Sequence, residues 1–214
     1  MKLRAALGAV LLLGLLGACG PGKFADESAP LNVGAPLTSS DAPPPASSAG
    51  VIAMGMRIPS IGLNNHTFMQ VGLVGGELEV PPLSQPGLVG WYKDSPIPGE
   101  SALCSFDNGK GCVQRTVLGA HINANGVQGA FAKLAQVKVG AIVEVDRSDQ
   151  KTAVFKVTKT KVFLKTSFPT AEVYGGSGPS LILLTCGPGA VVKGSYLNQT
   201  AVWADLVTVK PTAP

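Results

Sequence analysis

From residue 51 onward the apolar positions come in short runs, each closed by Gly, Pro, Asn or Asp. Val51-Ile-Ala-Met-Gly-Met-Arg-Ile-Pro-Ser-Ile61 alternates apolar and small residues up to a proline, the pattern of a half-buried strand. Further strands are predicted over Thr67 to Leu73, Glu77 to Pro81, Leu88 to Tyr92 and Arg115 to Ile122. Others follow at Ile142 to Arg147, Thr152 to Val162, Leu181 to Thr185 and Ala201 to Val209. Helical spacing is met at Gln128 to Val137, where Phe131, Leu134 and Ala135 share a face. Helices long enough to alternate with strands are missing, which excludes a doubly wound parallel sheet. The expected fold is mainly β: a closed or nearly closed barrel of about eight strands with one or two short helices. Closure would remove exposed sheet edges.

The first residues pattern differently. Lys2 and Arg4 precede an uncharged apolar run, Ala5 to Leu16, that closes on Leu16-Gly17-Ala18-Cys19. The run falls short of the ~20 residues that cross a bilayer, so it predicts a signal segment over residues 1–18. Its ending resembles a bacterial lipobox, after which Cys19 would begin the mature chain and carry lipid. A plain signal peptide or a short uncleaved anchor would show the same run, and all three export the protein. Residues 19–50 hold six prolines with many Ala and Ser and no apolar period, the composition of a disordered tether. Residues 51–214 are then the folded domain, and the expected location is the outer face of the cytoplasmic membrane or beyond it.

Composition adds little to this and excludes much. Apolar residues make up 45% of the 214 and charged residues 14%, with 27 Gly and 17 Pro, which suits one strand-rich core. The formal charge of +4 includes Lys2 and Arg4, and the remainder is too scattered to predict a nucleic-acid partner. Two histidines and dispersed carboxylates offer no metal spacing, and no glycine-rich loop leads a strand into a helix. No metal or cofactor is expected. His66 lies in a polar turn, Asn64-Asn-His-Thr67, and reads as a solvated loop residue.

Four cysteines carry the chemistry. Cys104 and Cys112 flank a segment with an Asn-Gly turn, so a hairpin disulfide between them is the natural pairing in an oxidising compartment. So short a loop contributes on the order of 2–3 kcal/mol at most. Cys186 is left over, ending the apolar run Leu181-Ile-Leu-Leu-Thr-Cys-Gly187. A second strand, Arg115-Thr-Val-Leu-Gly-Ala-His121, runs out at a histidine. A thiol is a weak nucleophile until deprotonated, and an imidazole can take its proton and later return one to a leaving amine. A buried structural thiol at Cys186 is the competing interpretation of the same residues.

The segments resemble a sortase, closest to the actinobacterial class E/F type, from about Arg57 to Val207. They come in the family's order: Arg57-Ile-Pro-Ser-Ile-Gly62, then Glu79-Val-Pro-Pro82, Val89-Gly-Trp-Tyr92 and Ser95-Pro-Ile-Pro-Gly99. Gly119-Ala-His121, Gly129-Ala-Phe-Ala-Lys-Leu134, Val139-Gly140 and Leu183-Leu-Thr-Cys186 follow. The resemblance implies a cysteine transpeptidase. Cys186 would attack the Thr–Gly bond of an LPxTG-like sorting signal, and His121 would act as general acid/base. The acyl group would pass to an amine on the cell wall or a pilin. The partners implied are a sorting-signal peptide of an exported protein and that amine acceptor.

One departure touches the chemistry. The family's arginine after the cysteine, which meets the substrate and the developing oxyanion, aligns with Leu197 in Tyr196-Leu-Asn-Gln-Thr200, and no arginine follows Arg147. Asn198 and Gln199 carry amide donors, Lys193 carries charge, and Arg57 or Arg115 would have to arrive from another strand. Asn198, the amide nearest to Tyr196, is the expected replacement. A sortase-fold protein that binds peptides or wall partners with little turnover is the alternative that the missing arginine raises. The lipobox, where the family more often has a transmembrane helix, and the Cys104–Cys112 insertion depart as well.

Overall fold

The computed structural model describes residues 50–74, 77–102, 106–107, 110–111 and 113–213. The predicted leader, Cys19, the tether up to residue 49, Cys104 and Cys112 lie outside them. Nine strands join in one curled sheet. They are β1 (Ala53–Ile58), β2 (Leu63–Asn65), β3 (Phe68–Val71), β4 (Val89–Tyr92) and β5 (Thr116–Ala120). Then come β6 (Ile142–Arg147), β7 (Lys151–Leu164), β8 (Ser180–Cys186) and β9 (Asn198–Pro211). The order is β2-β1-β6-β7-β9-β8-β5-β4-β3. The β5/β8 and β3/β4 pairs are parallel and the others antiparallel.

The sheet is apolar on both faces where it carries β8. Leu181 and Leu183 enter one cluster, with Phe131, Leu134, Phe155 and Trp91. Ile182, Leu184 and Cys186 enter a second, with Phe163, Phe168, Tyr174 and Trp203. Alternate residues thus meet apolar neighbours whichever way they point, which is why this strand is a continuous apolar run. A short helix, α1 (Thr170–Tyr174), covers the second cluster with Val173 and Tyr174. Trp203 Nε1 donates to the Glu172 carbonyl at 3.2 Å and ties β9 to it.

The barrel is not closed. β2 and β3 end the strand order and do not pair with each other, although only His66 and Thr67 separate them. Asn65 explains the gap. Its Oδ1 accepts the Thr67 N–H at 2.8 Å and its Nδ2 donates to the Gly87 carbonyl at 2.7 Å. The side chain occupies the turn and sends the chain onward beside β4 instead of back along β2. His66 is exposed in that turn, with Nε2 2.9 Å from Asn64 Oδ1.

The helix expected over Gln128 to Val137 is likewise absent. The segment holds a two-residue strand, turns and one 3-10 turn, Leu134–Gln136. Tertiary bonds outweigh its helical spacing: Ala130 N–H donates to Pro86 O at 2.9 Å and Phe131 N–H to His121 O at 3.0 Å. Phe131 and Leu134 still reach the core, at zero exposure.

Candidate active site

β5 and β8 run parallel with Leu181 level with Thr116 and Leu184 level with Gly119. The ladder ends there, and its register carried on by two residues puts Cys186 level with His121, one strand spacing of about 4.8 Å away. Residues two apart face the same way, so both belong to the face that carries Val117, Ile182 and Leu184. Thr185 Oγ1 donates to the Ala120 carbonyl at 2.8 Å, fastening the strands one residue short of the pair. Two residues far apart in the sequence are therefore neighbours at the ends of two inner strands.

Each is held from behind. A Cβ on Gly129 would lie 2.1 Å from the His121 carbonyl oxygen, so only glycine lets the 129–131 segment press against the histidine backbone. His121 is 1% exposed, and its Nε2 stands 2.6 Å from the Pro81 carbonyl oxygen. A carbonyl only accepts, so Nε2 carries the proton and, in the neutral ring, Nδ1 carries the lone pair. Cys186 is a fully buried thiol. Beyond it Gly187 turns at φ +71°, and a Cβ there would meet Ile122 Cδ1 at 2.9 Å and the Tyr196 ring at 3.3 Å. Asn123 Nδ2 donates to the Tyr196 hydroxyl at 2.7 Å, and Ile122 and Tyr196 pack against the cluster that holds Cys186.

On the other side of Cys186 lies β9. Cys186 pairs with Gln199 and Thr185 with Thr200. The Gly187 N–H donates to Asn198 O at 2.8 Å, which makes Cys186/Gln199 the narrow kind of antiparallel pair. Their Cβ atoms stand about 4.5–5.5 Å apart on one face. Ala201 and Trp203, at the same parity as Gln199, lie in the Cys186 cluster. Asn198 has the opposite parity, pairs with Leu164, and donates Nδ2 to Pro188 O at 2.9 Å. Its amide fastens the 187–189 turn instead of meeting the thiol. Gln199 is buried completely, and among the described residues neither its Nε2 nor its Oε1 has a hydrogen-bond partner.

The cations stand elsewhere. Arg57 is taken by Asp146 and Glu144, Arg147 by Asp149, Glu100 and Pro98 O, and Arg115 by Gly175 O and Ser180. Lys193 is exposed. Lys165 is buried beyond β7, its Nζ 3.4 Å from Ser195 Oγ. Among the described residues no group of His, Cys, Asp or Glu is arranged to hold a metal. The arrangement thus offers a thiol, an imidazole and an uncharged amide in one row, with the chemistry of acyl transfer available to it. Sequence reasoning named Gln199 and passed it over for Asn198. The signal lay in strand parity, since Gln199, Ala201 and Trp203 alternate.

The family model for the Sortase domain matches residues 56–207. Among solved structures, sortase A of Listeria monocytogenes is similar with a TM-score of 0.52 and 13% identity, over 76% of this chain and 91% of that one. Sortase C-3 of Streptococcus pneumoniae gives 0.54 and 16%, over 88% and 78%. Sortase A of Corynebacterium diphtheriae gives 0.52 and 19%, over 77% and 64%. No curated protein sequence matches the chain.

Proposed function

The chain belongs to the sortase family, and on that premise we propose that it is a cysteine transpeptidase with Cys186 as nucleophile and His121 as general acid/base. The Cys186 thiolate adds to the Thr carbonyl carbon of an LPxTG-like signal. Its C–N bond to Gly then breaks, and His121 gives a proton to the departing amine. An amine of the cell wall or of a pilin then attacks the thioester carbonyl, the C–S bond breaks to free Cys186, and the acyl group stays on that amine. The observation that supports this is the β5/β8 register, whose continuation leads to both residues at one end of the two strands.

The leader supports an exported protein held at the outer membrane face through lipid on Cys19, with Cys104 and Cys112 bridged. A second function has an observation behind it. Cys186 and His121 are both nearly inaccessible, and the arginines among the described residues, Arg57, Arg115 and Arg147, are engaged elsewhere, which suits a peptide-binding protein with little turnover.

One experiment separates the two. The full chain and its Cys186→Ala variant meet a library of LPxTG-like peptides, with and without an amine acceptor, and mass spectrometry reads the products. A thioester on Cys186 and an amine-dependent product are expected, both lost in the variant. An intact library with unmodified Cys186 would shift the weight to the binding function instead.

A further inference from the structure

Buried polar atoms in folded proteins almost always find partners, so a fully buried amide with none calls for an explanation. Gln199 is that case: zero exposure, both amide atoms unpartnered among the described residues, directly across the ladder from Cys186 and on its face. An apolar residue would pack there without that cost. The cost is recovered when a ligand brings the missing partner, and an acyl group on the Cys186 sulfur brings a carbonyl oxygen to this spot.

We propose that Gln199 is a catalytic residue, its Nε2–H donating to the carbonyl oxygen of the acyl group under attack by Cys186. The assignment rests on the transpeptidase function above and deepens it by making the oxyanion donor an uncharged amide. In the step, the sulfur forms a bond to the carbonyl carbon and the C=O pair moves onto oxygen, where it accepts from Nε2. The pair then returns as the bond to the leaving group breaks. Asn198 is occupied by Pro188 O and Lys165 is directed at Ser195, so neither competes for that oxygen by position.

A test that needs no peptide recognition uses the full chain and p-nitrophenyl acetate, which acylates Cys186 through the same oxyanion and releases p-nitrophenolate. Iodoacetamide alkylates the same thiol by displacement and forms no oxyanion. Gln199→Met keeps the bulk and removes the donor. Acylation is expected to fall about 10²–10³-fold, the usual cost of one such donor, with alkylation within about threefold of wild type. Gln199→Glu, which keeps the shape, guards against a misfolded Met variant and is expected to change the ratio in the same direction.

Equal acylation in wild type and Gln199→Met would overturn the assignment. So would equal losses in acylation and alkylation, or a wild-type thiol that the ester does not acylate. A matching loss in Lys165→Gln would overturn it in favour of the lysine. The function and the donor fail separately. A selective loss with the ester but no cleavage of any sorting peptide removes the transpeptidase and keeps the donor. Peptide cleavage that Gln199→Met leaves intact does the reverse.

Discussion

At the β1–β6 corner Asp146 accepts from Arg57 through both oxygens and from Thr152 at 2.7 Å. Glu144 beside it accepts from Arg57 and Lys210. At the β8–β9 edge Gln199 is buried more deeply than Asp146, and its side-chain amide accepts and donates nothing among the described residues. Both places put polar atoms inside a sheet protein, yet only one satisfies them. The corner holds the fold together, and its groups have partners because nothing else will supply them. The edge keeps its groups waiting, which is how a site for a polar ligand differs from a structural network.

Breaking the corner is expected to cost most in stability. Asp146→Ala removes both Arg57 bonds to Asp146 and the one from Thr152, leaving Arg57 with Glu144 alone, and about 2–4 kcal/mol is expected to be lost in urea unfolding. Acylation of Cys186 in the fraction that stays folded should be unaffected, and a parallel loss of both would show that the two regions are coupled. The edge should behave in the opposite sense. Gln199→Leu removes an unsatisfied amide and is expected to raise stability by about 1 kcal/mol, read as a higher urea midpoint at an unchanged slope. A clear loss of stability there would mean that Gln199 has a structural partner.

The smallest effect is that of pH on the corner. Burial pushes the Asp146 carboxyl up, but its bonds to Arg57 and Thr152 and the nearby charges outweigh that and hold it below its usual range. Glu144 is lowered chiefly by its bond to Lys210, against burial, with Arg57 adding to it. A depressed carboxylate stabilises the fold above its unfolded value of about 4 and loses that contribution as pH falls through the folded value. Stability is therefore expected to be level from about pH 7 to 5 and to decline below about 4. Asp146→Asn should flatten the decline.

The strands were legible because β residues that bury one or both faces leave a period or a run. Ile142–Arg147 appears with the bounds its pattern implies, and β8 with one more residue at each end. What stayed hidden was set by long-range bonds. The Gln128–Val137 segment has helical spacing, but His121 and Pro86 take its N–H groups. Closure failed on one side chain, Asn65, whose two bonds no pattern announces. Cys186 and His121 stood out as strand-end chemistry, whereas the choice between Asn198 and Gln199 turned on where β9 begins. A strand taken to start at Ala201 leaves both in a loop with no parity; one that starts at Asn198 puts Gln199 beside the thiol.

The bond from Thr185 to Ala120 spans 65 residues of sequence. Between them the chain must lay down β6, β7 and α1 before β8 can slide in beside β5. Closing so long a loop costs entropy that the docked intermediate strands help to offset, so this contact is expected to form after them. Until it forms, Cys186 is an ordinary thiol with no imidazole at its side. On the proposed function, the nucleophile would be switched on by completion of the fold itself, and a partly assembled chain would carry its cysteine without its reactivity.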